Sequence, residues 1–187
     1  MQSIVDFQAR VASDVILAGG VIAYPTEGVW GLGCDPWNPE AVGRLLEIKQ
    51  RPVEKGLILI GHSLAQLEPW LAPLTSEQRY QLEQSWPGPN TWVVEHNGRL
   101  PEWVTGGRDN VAIRVSGHPL ARALCKRSGI PIVSTSANKT GKPSITERLQ
   151  VMLKLAVELD WVTPGQVQNP GQASTIRLLE GGVVLRP

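Results

Sequence analysis

The segment IKQRPVEKG places Lys49, Arg51 and Lys55 within seven residues. Three cations at that spacing can hold a polyphosphate, whose several charges no single side chain would balance. They can equally be solvated charge at the C-terminal end of a helix, where the dipole favours cations. Pro52 weighs towards a site. It stops the helix, so Arg51 and Lys55 fall on a loop, and the run LILI that follows reads as a buried strand. Ligands gather at strand ends in open α/β sheets.

A second polar concentration is PIVSTSANKTGKPS. An apolar strand runs into Ser134, Thr135, Ser136 and Asn138, then Gly141 and Ser144. Hydroxyls and free backbone N–H groups after a strand suit an anion or a sugar. An ordinary Ser/Thr turn with a helix cap has the same composition. The segment is not a P-loop, because Ser136 stands where the first glycine would fall and Pro143 follows Lys142. GVWGLG, with glycines at 28, 31 and 33, does not match a dinucleotide fingerprint either.

In VAIRV, Arg114 alternates with Val111, Ile113 and Val115, so it shares the opposite face with Ala112. It is either a solvent-facing arginine on a one-sided sheet or a guanidinium in a cleft. In a cleft it could clamp a carboxylate with two parallel bonds. The loop YPTEGVWGLGCD adds Thr26 and Glu27 among glycines, which are expected to let backbone approach ligands closely. His62, His96 and His118 lack metal-ligand spacing, and Cys34 and Cys125 come with no partner for nucleophilic work. The residues therefore favour a site that positions charged reactants, as phosphoryl and nucleotidyl transfer require.

The elements that must carry these groups are legible in part. Residues 3–18 place Phe7, Val11 and Val15 at helical spacing, and Gly19-Gly20 ends the run. A strand over 21–24 leads into the Thr26 loop. Asn38-Pro39 reads as an N-cap followed by proline at the first helical position, opening a helix with Val42, Leu45, Leu46 and Ile48 inward. Thr75 with Gln78 predicts a capping box for a helix to about Ser85, and WPGPN a turn. Strands are expected at 57–60, 91–95, 111–115 and 131–135, with a helix from Pro119 to near Gly129. Ser144 with Glu147 predicts a second capping box, before a helix carrying Leu149, Met152, Leu153 and Ala156. STIRLL and VVLR around Gly181-Gly182 predict a C-terminal hairpin. Alternating helices and strands, plus adjacent strand pairs, predict a three-layer α/β fold with a twisted mixed sheet and helices on its faces.

A chain of 187 residues suits one domain, 1–187. Its 42% hydrophobic and 19% charged residues are those of a soluble globular protein. No apolar run approaches the roughly eighteen residues of a membrane span, and the N-terminus reads as an amphipathic helix rather than a secretion signal. Two cysteines without metal spacing read as reduced thiols, and a cytoplasmic protein is expected. The net charge of +1 counts against a nucleic-acid binder held by bulk charge. The seven tryptophans are scattered and read as packing residues.

YPTEGVWGLGCD, KQRPVEKGLILI, VAIRV followed by HPL, PIVSTSAN, STI and a final LRP, in that order, resemble the YrdC-like threonylcarbamoyl-AMP synthases, in their short bacterial single-domain form. The likeness runs from about residue 10 to the C-terminus. It implies a YrdC-like fold with a concave basic cleft, and a nucleotidyltransferase reaction. L-Threonine, bicarbonate and ATP give threonylcarbamoyl-AMP and pyrophosphate, the precursor of threonylcarbamoyladenosine in tRNA. By the same resemblance, Lys49, Arg51, Lys55, Ser136, Asn138, Ser144 and Arg186 would bind ATP. Thr26, Arg114, Ser134 and Ser174 would bind threonine, and Lys49, Arg51 and Arg114 would be catalytic. Mg²⁺ would be bound through the phosphates, with no protein-held metal. Partners would include a downstream tRNA threonylcarbamoyl transferase complex, with tRNA or double-stranded RNA as a further ligand, and no membrane.

The chain departs from longer relatives in two places. Gly28 replaces the second threonine of PTET, and Ile60 stands where a histidine often follows the lysine by eleven residues; His62 is expected on the same face as Ile60. The expected alternative from another class is an RNA-binding module acting in RNA maturation. A carbamoyltransferase acting on a protein is a second rival, although such chains usually carry added zinc motifs that this one lacks.

Overall fold

A computed structural model describes residues 2–171 and 173–187. Its strands are β1 (Ile22–Pro25), β2 (Trp30–Gly33), β3 (Ile58–Gly61), β4 (Asn90–Glu95), β5 (Asn110–Val115), β6 (Ile132–Ser136), β7 (Trp161–Val162), β8 (Thr175–Leu178) and β9 (Val184–Arg186). Its helices are α1 (Gln2–Leu17), α2 (Pro39–Lys49), α3 (Leu64–Leu67), α4 (Ser76–Ser85), α5 (Glu102–Thr105), α6 (Pro119–Ser128) and α7 (Arg148–Leu155). Among the described residues the strands form one mixed nine-stranded sheet, in the order β7-β1-β2-β6-β3-β5-β4-β8-β9.

Register decides which residues share a face, because paired residues point the same way. Tyr24 pairs with Gly31, and Gly31 with Ser136. Ser134 pairs with Ile58, and Ile132 with Ile60. Ile58 pairs with Ala112, and Ile60 with Arg114. One part of this face lies beneath α1 and α6: Ile22, Tyr24, Ile60 and Ile132 pack against Ala12, Ile16, Ala121, Leu124 and Cys125. The rest, with Ser134, Ser136, Ala112 and Arg114, lines a cavity, and Ile58 stands at the border, packed against the first part and lining the cavity as well. The other face, with Ala23, Trp30, Leu32, Leu59, Ile113 and Val133, joins buried residues of α2, α4 and α7 in the larger core. The three layers expected from the sequence are therefore present, and the layer of α1 and α6 covers only one part of its side.

Local chemistry sets several boundaries as the sequence predicts. Asn38 Oδ1 accepts from the Ala41 N–H at 3.0 Å, with Pro39 at the first helical position. Thr75 and Gln78 form the reciprocal capping box, with bonds of 3.1 and 3.0 Å. Pro119 opens α6, and β8 and β9 form the expected antiparallel pair.

Two expectations fail. The inward face of α1 is Ala9, Ala12, Ser13 and Ile16, while Phe7 is 59% exposed, its ring beneath the Arg10 guanidinium at 5.4 Å. Small residues let α1 lie close to α6, which outranks the bulkier Phe7–Val11–Val15 line. The second capping box is also absent. α7 begins only at Arg148, and neither Glu147 at its cap nor Ser144 makes a capping bond. Residues around 145 are instead drawn to the sheet: the Trp30 N–H donates to the Ile145 carbonyl at 2.8 Å and the Ile145 side chain is buried. The helix that follows buries Val151 and Leu155 and leaves Leu149 and Leu153 exposed, Leu153 by 77%.

Candidate active site

The uncovered half of the sheet face floors a cavity of about 460 Å³, within the range of small-molecule sites. Gly31, Ile58, Ala112, Ser134 and Ser136 form its floor, and Arg51, Lys55, Arg108, Arg114 and Arg186 reach it from four separate parts of the chain. No carboxylate is among its lining residues. The guanidinium of Arg51 is held below its usual range by burial and then by the neighbouring charges of Arg108 and Arg186. Arg186 is lowered by burial and by Arg114. Crowded cations without counter-charge are costly unless an anion joins them.

The segment after α2 and the segment after β6 form one hydrogen-bonded unit. Gln50 caps α2 in the left-handed conformation (φ 51°), which turns the chain towards the cavity. Lys49 Nζ donates to the carbonyl oxygens of Ser136 and Asn138 at 2.5 and 2.8 Å and to Asn138 Oδ1 at 3.2 Å. The Thr140 N–H and hydroxyl both donate to the Lys49 carbonyl, at 2.8 and 3.0 Å. Ser136 Oγ donates to Asn138 Oδ1 at 2.5 Å, and Asn138 Nδ2 to the Lys142 carbonyl at 2.5 Å. Lys49 is only 3% exposed, and burial followed by the Arg51 charge pushes its ammonium down to about 8. Arg51 braces the next turn, donating from Nη2 to the Gly56 carbonyl at 2.9 Å and to the Lys55 carbonyl at 3.2 Å.

Arg114 stands in the cleft and not in solvent. Its Nε donates to the Gly88 carbonyl at 2.9 Å, and its Nη2 is paired with Glu27 Oε2. Glu27 is buried and further held by the Ser116 hydroxyl at 2.9 Å and the Gly117 N–H at 2.5 Å. Burial works to raise its pKa, but the Arg114 charge and the Gly117 bond outweigh it, and the carboxyl lies below its usual range. Arg114 Nη1 has no partner among the described residues, so the end of the guanidinium remains able to meet a second carboxylate.

Gly31 of the Thr26 loop lies in the cavity floor, and Gly31 and Gly33 also leave space for a neighbouring side chain. A Cβ on Gly33 would lie 2.7 Å from the Val133 carbonyl and 2.8 Å from the Tyr24 ring, and one on Gly31 would lie 3.3 Å from the same ring. They make room for Tyr24, which is fully buried and donates its phenol proton to Ser134 Oγ at 2.7 Å. Thr26 Oγ1 donates to the Val29 carbonyl at 2.7 Å, closing the loop. The segment between β7 and β8 is laid over this loop. The N–H groups of Gln168 and Asn169 donate to the Glu27 carbonyl at 3.0 and 2.6 Å, and that of Gly171 to the Gly28 carbonyl at 2.9 Å. Arg186 Nη2 donates to the Ser174 carbonyl at 2.7 Å, and the Ser174 and Thr91 hydroxyls are 2.8 Å apart.

Of the residues singled out in the sequence, Thr26, Arg51, Lys55, Arg114, Ser134, Ser136, Ser144, Ser174 and Arg186 line this one cavity. Lys49 and Asn138 do not; they hold the loop that presents Ser136. Arg108 was not anticipated. It follows the left-handed Gly106 and Gly107 just before β5, and an arginine after a glycine pair at a strand start was the available signal. His62 keeps to the α6 side with Ile60, away from the cavity, its Nδ1 2.7 Å from Gln66 Oε1. His118 Nε2 is 3.1 Å from the Gln166 carbonyl, and burial lowers its pKa.

Threonylcarbamoyl-AMP synthase of Stutzerimonas stutzeri is 50% identical over 97% of this chain and 98% of its own. That of Pseudomonas paraeruginosa is 52% identical over 97% of both. The structure of P. abyssi Sua5 complexed with L-threonine superposes with a TM-score of 0.91 at 35% identity, over 97% of this chain and 54% of that one; the chain thus spans about half of Sua5. E. coli YciO, at 24% identity and a TM-score of 0.83, shares the fold. The family model for Sua5, YciO and YrdC, described as "Telomere recombination", matches residues 14–187, and the chain belongs to that family.

Proposed function

We propose that this protein is a threonylcarbamoyl-AMP synthase, making threonylcarbamoyl-adenylate and pyrophosphate from L-threonine, bicarbonate and ATP. The observation that carries the reading is the meeting of Arg51, Lys55, Arg108, Arg114 and Arg186 around one cavity, in a chain about half identical to proteins of that name along almost its whole length. The threonine amine takes up carbon dioxide, supplied by bicarbonate, and loses a proton to become a carbamate. A carbamate oxygen attacks the α-phosphorus of ATP, and the bond to the β-phosphate oxygen breaks, releasing pyrophosphate.

The nucleophile is already an anion, so no Ser–His pair is needed. The work of the protein is to bring two anions into line, which cations achieve by removing their repulsion. Arg51, Lys55, Arg108 and Arg186 face the triphosphate, with the Ser136 and Ser144 hydroxyls beside it. Lys49 and Asn138 act by holding the Ser136 loop. The free end of Arg114 takes the threonine carboxylate, with Thr26, Ser134 and Ser174 nearby. The cavity lining carries no carboxylate, and ATP brings phosphate oxygens, which are good ligands for Mg²⁺. A Mg²⁺ would enter on the phosphates, neutralising their charge. The product would feed a tRNA threonylcarbamoyl transferase in the cytoplasm; among the described residues no helix is long and apolar enough to cross a membrane.

The test is pyrophosphate release by the purified protein. Release that requires ATP, L-threonine and bicarbonate together is expected. Release without threonine, or none with all three, would overturn the reading.

A further inference from the structure

We propose that Tyr24 is a positioning residue for substrate: its phenol fixes the Ser134 hydroxyl so that the serine proton is offered into the cavity, to a carboxylate or carbamate oxygen of the amino-acid substrate. The inference rests on the reading of the site given above.

Three observations carry it. First, Tyr24 is fully buried beneath α1 and α6, and its hydroxyl lies 2.7 Å from Ser134 Oγ. A phenol is a stronger acid than an alcohol and a weaker acceptor, so Tyr24 gives the proton and Ser134 receives it. Burial drives the phenol pKa far upwards, so this donor persists across the working range of pH. Second, Ser134 has one proton of its own, and among the described residues no protein group accepts it; Ser134 lines the cavity, where a ligand oxygen can. A hydroxyl that accepts one hydrogen bond donates a second more strongly, because such chains polarise one another. Third, the arrangement has its own space made for it. Gly31 and Gly33 are residues against which the Tyr24 ring lies: a Cβ on Gly33 would collide with it at 2.8 Å, and one on Gly31 would press on it at 3.3 Å.

Ser134 and Arg114 are on the same sheet face, one rung apart through β3, since Ser134 pairs with Ile58 and Ile60 with Arg114. Both also line the one cavity, so an amino-acid substrate that carries a carboxylate and a carbamate can meet the guanidinium and the serine proton with its two anionic groups. The Tyr24 hydroxyl never touches substrate; its effect reaches it through Ser134.

The experiment is L-threonine binding by titration calorimetry to wild type, Tyr24→Phe, Ser134→Ala and the double variant, with circular dichroism to establish folding. Tyr24→Phe, which deletes one oxygen, is expected to weaken threonine binding about 5–10-fold, in the range of one lost neutral hydrogen bond. In the Ser134→Ala background the same change should have less than a twofold effect, because its route to substrate is gone. Equal weakening in both backgrounds, or no weakening in the first, overturns the proposal. Should Tyr24→Phe fail to fold, the wild type suffices. The Tyr24 hydroxyl proton, followed by NMR in a chain with two tyrosines, should move downfield as threonine is added, and an unmoved resonance at saturation refutes the link. Threonine binding without threonine-dependent pyrophosphate release would sink the proposed function and leave this inference standing. No threonine binding by wild type overturns both.

Discussion

Glu27 holds Arg114 from behind: its carboxylate pairs with Nη2 while the Ser116 hydroxyl and the Gly117 N–H fix its own position. The pair is buried on both sides, so removing one partner strands a charge, at a cost of about 3–5 kcal/mol. Glu27→Ala should lower Tm by on the order of 10 °C, given roughly 2–4 °C per kcal/mol for a chain of this size. The pH dependence has a definite sign. The carboxyl is depressed in the folded state, so its contribution is complete above the ordinary glutamate pKa near 4.3 and is lost as pH falls through the lower folded value. Thermal melts of Glu27→Gln between pH 3 and 7 should show a shallower acid limb than wild type; superimposable limbs would mean that Glu27 carries no such linkage.

Lys49 gives a second pH signature, in substrate affinity. All three of its bonds to the Ser136–Asn138 loop require the ammonium, and its pKa is pushed down to about 8. As pH rises through that value one bond is lost and the loop loosens. KM for ATP should climb above pH 8 while KM for threonine changes little. Lys49→Met should show the raised KM for ATP at every pH, with no inflection, and should lose on the order of 2 kcal/mol of stability through carbonyls left unpaired. An inflection that survives in Lys49→Met belongs to another group.

The glycines of the Thr26 loop separate by what their missing side chains would meet. A Cβ on Gly33 would strike the Val133 backbone carbonyl as well as Tyr24, whereas one on Gly31 meets only side-chain atoms. Backbone in the middle of a sheet cannot give way as a ring can. Gly33→Ala should cost about 2–3 kcal/mol in denaturant melts, as overpacking does, and Gly31→Ala distinctly less. Equal costs would mean that Tyr24, and not the β6 backbone, sets the constraint.

How far the sequence could be read depended on the range of the forces involved. The Asn38 and Thr75 caps, Pro119 and the hairpin at Gly181-Gly182 are local chemistry, decided within four or five residues, and they stand as predicted. Much of the cavity was also legible, because Ser134, Ser136 and Arg114 sit on strands and Arg51 follows the proline-stopped end of α2, although Arg108 escaped notice. Register and tertiary choice were not legible. Nothing near Glu27 announces that its partner is Arg114, 87 positions on in the chain, and nothing near Lys49 announces that its acceptors lie beyond β6. α7 makes the same point: Leu149, Met152 and Leu153 outnumber Val151 and Leu155 in bulk, yet the pull of Ile145 into the core turns them outward. Leu153→Gln should therefore change stability by less than about 0.5 kcal/mol, as exposed substitutions do, whereas Val151→Ala should cost more than 1 kcal/mol.

The two ends of the cavity should separate kinetically. Arg51 and Arg108 lie together beside the turn at Gly56, where a Cβ on that glycine would lie 3.2 Å from Arg108 Nη1, and Arg114 stands across the floor against Glu27. If the triphosphate lies against the first pair, Arg108→Ala should raise KM for ATP about tenfold, the effect of a lost charge-assisted bond, with KM for threonine unchanged. Arg51→Ala should do the same and also loosen the Lys55–Gly56 turn that it braces. Arg114→Ala should act on threonine instead. Because Arg51 and Arg108 repel one another when no anion is bound, losing either relieves the other. The relief is gained once in the double variant but twice in the sum of the singles, so the double variant should cost more stability than that sum, and its loss of ATP affinity should exceed that of either single variant. Steady-state kinetics varying each substrate in turn decides the assignment; an Arg108→Ala variant impaired in threonine use, or an Arg114→Ala variant impaired only in ATP use, would reverse the two ends of the site.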